Sequence, residues 1–176
     1  MGLATALWPA PLEPFLDPLD GPAGWSVEVN PGSKARLSWP AEAGRGAVAT
    51  IDVERWNVDA EGLYFANFDG TKLPPDPGAY SSLSFDVRGT LPQVRVYLEA
   101  GAERWRSPPV SVSADWTTVQ LDLRSFERQR RGETGVWRVI DWTPPTGIQD
   151  LSFKLGWYVN PADTLGQVQL DAVRWE

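Results

Sequence analysis

The side chains that usually carry acid–base and nucleophilic chemistry are missing from this chain, which has no histidine and no cysteine. That excludes a serine–histidine triad, imidazole and thiolate metal sites, thiol nucleophiles and disulfides. Carboxylates, three lysines and four tyrosines remain. One carboxylate pair is spaced for chemistry. In Thr50-Ile51-Asp52-Val53-Glu54, Asp52 and Glu54 share one face of a strand about 6.6 Å apart, against the roughly 5–5.5 Å that retaining glycoside hydrolysis asks of its two acids. The surplus is aromatic, with 10 tryptophans beside 16 prolines and 16 glycines in 176 residues. Tyr97 between Arg95 and Glu99 has the equipment for holding a sugar. The CH face of a pyranose packs flat on a ring, and its hydroxyl edges need groups that donate and accept. A formal charge of −7 argues against a non-specific grip on nucleic-acid phosphates.

The elements that must position these residues read as strands. Apolar residues recur with period two: Leu83, Phe85, Val87; Val94, Val96, Leu98; Val119, Leu121, Leu123; Leu151, Phe153, Leu155, Trp157. Less regular strands are expected at 34–39, 48–56, 63–67, 108–113 and 167–175. Asn30-Pro31-Gly32, Asp69-Gly70, Pro74 to Gly78 and Asn160-Pro161 punctuate them as turns. Many short strands at this spacing predict an all-β, two-sheet antiparallel sandwich or jelly roll. The length suits one domain over 15–176, preceded by a Pro/Ala-rich arm over 1–14. No window offers eighteen consecutive apolar residues, so no membrane span is expected. The Met-Gly start matches a myristoylation signal poorly, because Ala6 stands where serine or threonine is wanted.

The order of segments resembles a family. Tyr80-Ser81-Ser82-Leu83-Ser84-Phe85-Asp86-Val87, Trp116-Thr117-Thr118-Val119-Gln120-Leu121-Asp122-Leu123, Leu170-Asp171-Ala172-Val173, and Leu19-Asp20-Gly21 followed by Trp25 resemble strands of the galactose-binding-like β-jelly roll. The set is similar to carbohydrate-binding modules of the family 4, 11 and 22 type, and to complex I intermediate-associated proteins. The resemblance implies non-catalytic binding of a polysaccharide or oligosaccharide on a concave sheet, by a monomer or a module of a larger extracellular or cell-surface enzyme. It implies a structural calcium held by Asp20 (or Asp17) and Asp171, although Ala172 replaces the second acid of the closing pair. The complex I relatives imply a protein partner on the same face. The Thr50–Glu54 strand also resembles that of laminarinase-type glycosidases, with Thr50 in place of their first glutamate.

Distributing eight strands alternately between two sheets puts 48–56, 94–100, 106–113 and 151–158 together in the glycan-facing sheet. Its outward residues are then Asp52, Glu54 and Trp56, Arg95, Tyr97 and Glu99, and Lys154 and Tyr158. Tyr97, Trp56 and Tyr158 are the expected platforms, and the charged residues the hydroxyl partners. Trp105 and Trp137, with Trp142, are expected on rim loops. Trp25, Trp39, Trp116 and Trp157 are expected in the core. Outer strand faces are charged in any sheet, and cross-strand pairing alone explains many such residues.

Overall fold

A computed structural model describes residues 12–55, 63–67, 70–156, 159–161 and 164–176. Trp56, Trp157 and Tyr158, and the arm up to residue 11, lie outside the described residues. Among those described, the strands are β1 (Phe15–Asp17), β2 (Ser26–Val29), β3 (Lys34–Ser38), β4 (Ala41–Glu42), β5 (Gly46–Ala47), β6 (Ala49–Arg55), β7 (Leu63–Asn67), β8 (Ser82–Gly89), β9 (Gln93–Ala100), β10 (Glu103–Arg106), β11 (Val110–Ser111), β12 (Thr117–Asp122), β13 (Glu127–Arg131), β14 (Trp137–Val139), β15 (Asp150–Lys154) and β16 (Gly166–Trp175).

They form the expected two-sheet sandwich. The first sheet runs β12-β8-β16-β6-β3, with β1 also paired to β16; the second runs β14-β13-β10-β9-β15-β7-β2, with β11 paired to β9. Every pairing is antiparallel. The core lies between the sheets, where the period-two stripes meet. Leu83, Phe85 and Val87 of β8 and Val94, Val96 and Leu98 of β9 are fully buried. Phe85 meets Phe153 edge-on at 5.0 Å across the sandwich, and Trp25 stacks on Phe65 at 4.6 Å. Trp25 is held further by its Nε1, which donates to Asp17 Oδ2 at 2.7 Å. Aromatic pairs of this kind add about 0.5–1.5 kcal/mol beyond the area they bury.

Three expectations about the strands need correction. The 49–55 strand belongs to the first sheet: Ile51 pairs with Val168 of β16 and Leu37 of β3. The chain crosses to the second sheet at β7, which the eight-strand count omitted together with β2. The expected 106–113 strand is two pieces, β10 and β11, separated at Pro108-Pro109, where two successive residues lack the N–H a ladder needs. The segment from Glu127 to Arg131, absent from the expected strands, is β13. It escapes the period-two rule because both of its faces are polar.

The tryptophans also redistribute. Trp105 is core, not rim: it is 1% exposed, lies opposite Leu98, and donates Nε1–H to Thr143 O at 2.8 Å. Trp175 is fully buried as well. Trp39 packs against the core only in part. Trp116 stands on the outer face of the first sheet, with the Arg45 and Arg88 guanidinium carbons 4.1 and 4.7 Å from its ring centroid.

Candidate functional site

The register of the second sheet builds its outer face in rows. One row sets Arg95 on β9 opposite Lys154 on β15, which lies opposite Tyr64 on β7. The next runs from Glu127 on β13 through Arg106 and Tyr97 to Ser152. A third runs from Val139 through Gln129, Arg104 and Glu99 to Asp150, and a fourth joins Trp137 to Arg131. The sequence expectation thus placed Arg95, Tyr97, Glu99 and Lys154 together correctly, and Trp137 joins them from a strand rather than a loop.

The centre of this face is a ladder of rings and cations. The Arg104 guanidinium carbon lies 4.0 Å from the Trp137 ring centroid and 5.0 Å from that of Tyr97. Arg104 Nε donates to Gln129 Oε1 at 2.7 Å, which fixes it between the two rings. Lys154 Nζ lies 5.0 Å from the Tyr64 ring and 5.7 Å from the Tyr97 ring, and 3.1 Å from the Tyr64 hydroxyl. Tyr97 is therefore only 2% exposed, so it is not the open platform expected of it. Its neighbours cover it, and Trp137, half-buried, offers the accessible ring. Burial pushes the Glu99 carboxyl up, with Arg104 and Lys154 pulling against it. Burial alone lifts Asp150, and burial lowers the Arg104 guanidinium.

Sequence reasoning overlooked Arg104, Arg106 and Gln129. The signal was present: with Trp105 inward, period two sends 104 and 106 outward, and an arginine pair flanking a core tryptophan is what an outer-face strand looks like.

Asp52 and Glu54 do not belong to this face. They project from the outer side of the first sheet, where Asp52 accepts from Gln167 Nε2 at 2.8 Å and Arg36 Nη2 at 3.3 Å. Glu54 is ion-paired with Lys34. Hydrogen bonding and charge from Lys34 hold Glu54 below the usual carboxylate range. A glycosidase acid needs the opposite, a carboxyl kept protonated by an apolar setting.

The calcium set does not fit either. Asp20 is exposed, whereas Asp171 is buried and bound by Arg45 Nη1 at 2.9 Å. The same nitrogen donates to Asp86 Oδ2 at 2.8 Å, so a guanidinium stands between the two carboxylates. Asp17, the alternative, is committed to Trp25 and to the Leu19 N–H at 3.1 Å. Among the described residues no three acids converge as a hard cation requires. Chelator or added calcium should shift the melting temperature by less than about 1 °C, since a ligand stabilises only what it binds. A calcium-dependent rise measured by calorimetry would overturn this.

The two-sheet architecture has solved counterparts. A family 11 carbohydrate-binding module from Clostridium thermocellum, complexed with a β-1,3-1,4-mixed-linked tetrasaccharide, superposes with a TM-score of 0.60 at 16% identity, over 92% of this chain and 94% of that one. The chain has the fold of these modules. The family 11 module of a cellulosomal cellulase from the same organism gives a TM-score of 0.55 at 16% identity, covering 91% and 93% of the two chains. A mutant family 29 module complexed with mannohexaose gives 0.54 at 14%, covering 93% and 90%. No protein-family model and no curated protein matches the sequence.

Proposed function

We propose that this chain is a non-catalytic carbohydrate-binding module, holding a polysaccharide or oligosaccharide on the outer face of its second sheet as part of a larger extracellular or cell-surface protein. The observation that carries the reading is the Trp137–Arg104–Tyr97 ladder. It sets an accessible ring at the β14 edge of a face whose further strands carry carboxylates able to bond hydroxyls, Glu99 and Asp150 among them. A sugar ring stacks on Trp137, and a glycan running across the strands brings the hydroxyls of further sugars to these groups. Solved modules of the same fold bound to a tetrasaccharide and to mannohexaose support the class of ligand. The absence of histidine and cysteine, and the low-held Glu54, favour binding over catalysis.

Affinity electrophoresis through gels containing a panel of soluble polysaccharides tests this. Trp137→Ala should weaken retardation by about tenfold or more, the effect of losing one aromatic platform worth roughly 1–3 kcal/mol. Its melting temperature should stay within a few degrees of the parent, because Trp137 is half-buried on the edge strand β14. Retardation unchanged in the variant, or no retardation of the parent by any glycan, overturns the proposal. Release of reducing sugar by the parent would restore the glycosidase reading.

A further inference from the structure

Arg95 occupies the least balanced position on this face. It stands directly opposite Lys154 in the β9–β15 ladder. Its Nε is buried and has no hydrogen-bond partner among the described residues. On the other side, Arg106 shares with Arg95 a pocket of about 210 Å³ that Glu127 also lines. The Glu127 carboxylate is already spent, since it pairs with Arg106 at 2.6 Å. The pocket's serine hydroxyls are committed as well: Ser107 Oγ donates to Pro108 O at 2.7 Å and Ser125 Oγ to Asp122 O at 2.6 Å. Two guanidiniums, Arg95 and Arg106, thus share a pocket whose one lining acid is already engaged.

A buried donor without a partner costs free energy, and that cost vanishes if an anion enters. The pocket is smaller than the roughly 300–1,000 Å³ that whole drug-sized ligands fill, so it suits a substituent. Building on the glycan-binding reading, we infer that this corner takes an oxyanion carried by the sugar, and that the ligand is an acidic polysaccharide. The planar fork of Arg95 matches a carboxylate, as on a uronic acid, best, with sulfate ester the other source of the same chemistry. General attraction of polyanions does not explain such binding, because the chain as a whole carries −7.

Affinity electrophoresis with polygalacturonate and with its methyl ester isolates the charge on one backbone, dextran sulfate with dextran gives the sulfate arm, and a neutral mixed-linked glucan completes the set. Polygalacturonate should retard the protein about tenfold more strongly than its ester, the scale of one or two charge-assisted bonds. Arg95→Gln should erase that difference and melt no lower than the parent, because the substitution removes a buried donor that has no partner among the described residues. Preference for dextran sulfate over dextran, without one for polygalacturonate, supports the oxyanion site with sulfate as its occupant. Equal retardation by acid and ester, or by neutral glucan alone, overturns the inference and leaves glycan binding standing; no retardation by anything overturns both. An Arg95→Gln protein that keeps the preference, or melts lower, makes Arg95 a structural residue and overturns the assignment.

Discussion

Arg45→Ala lowers the stability of the fold by about 3 kcal/mol, the lower end of the roughly 3–5 kcal/mol seen when one partner of a buried ion pair is removed. The lower end applies because the Arg45 side chain is 26% exposed, while Asp86 and Asp171 are almost wholly buried. Arg45 reaches them from the turn of the β4–β5 hairpin, which lies over the outer face of the first sheet, and Glu42 of the same hairpin anchors Trp116 and Arg88. The two acids are cross-strand partners on β8 and β16. Without the guanidinium they are adjacent, buried and uncompensated by it, with Arg174 the remaining cation, 3.8 Å from Asp86.

The pH dependence distinguishes this from simple loss of packing. Burial pushes Asp86 up, but the bonds from Thr118 and Arg45 and the charges of Arg174 and Arg45 bring it below the usual carboxylate value; burial lifts Asp171 above it. A carboxylate held low in the folded state adds stability above its unfolded pKa of about 4 and loses it as pH falls through the folded value. Asp86 therefore stabilises the parent at neutral pH. In Arg45→Ala both acids resist ionisation, so the deficit is greatest near pH 7 and shrinks as the pH drops toward 4. Thermal melts of parent and variant over that range measure it. A shift at pH 7 of roughly 6–12 °C is expected for a domain of this size. A deficit constant with pH would mean that Arg45 acts through its stack on Trp116 instead.

The same pair explains what the sequence showed and what it hid. The two sheets were legible because inward positions of β8, β9, β12 and β15 alternate strictly, and burial of one face forces that alternation. Which sheet a strand joins is not written in its own residues. Asp52 and Glu54 were assigned to the wrong face because the crossing at β7 depends on pairing partners distant in sequence. Asp171 matched a family calcium position, but only the fold could bring Arg45 to it across 126 residues. At the candidate site, period two identified Arg95, Tyr97, Glu99 and Lys154 as neighbours on one face. It could not reveal that Arg104 and Lys154 cover the Tyr97 ring, since cover depends on cross-strand register and rotamers. β13 remained invisible for the reason that makes it useful: a strand polar on both faces has no apolar signal, yet it supplies Gln129 and Glu127 to the site and Arg128 and Arg130 to Glu103.

Trp105→Ala costs about 3–5 kcal/mol, the range for deleting a large aromatic from a core, and lowers the melting temperature by on the order of 10 °C. The magnitude follows from its place. Trp105 is 1% exposed between Arg104 and Arg106, so truncation opens a cavity beneath the strand that carries two outward site residues. It also strands the Thr143 carbonyl, which loses the indole N–H that holds the 143–145 segment against β10. Arg128, 5.7 Å from the ring, loses its apolar backing but keeps Glu103 at 2.7 Å, so the β10–β13 pairing survives at its edge. Had Trp105 been a ligand platform, the alanine variant would melt near the parent and lose glycan retardation. As a core residue it melts far lower, while Trp105→Phe, which refills most of the volume, recovers much of the loss and retains retardation at temperatures where it is folded. Calorimetry on both variants, paired with affinity gels run well below their melting temperatures, separates these outcomes. A Trp105→Ala protein as stable as the parent would remove Trp105 from the core and return it to the rim of the site.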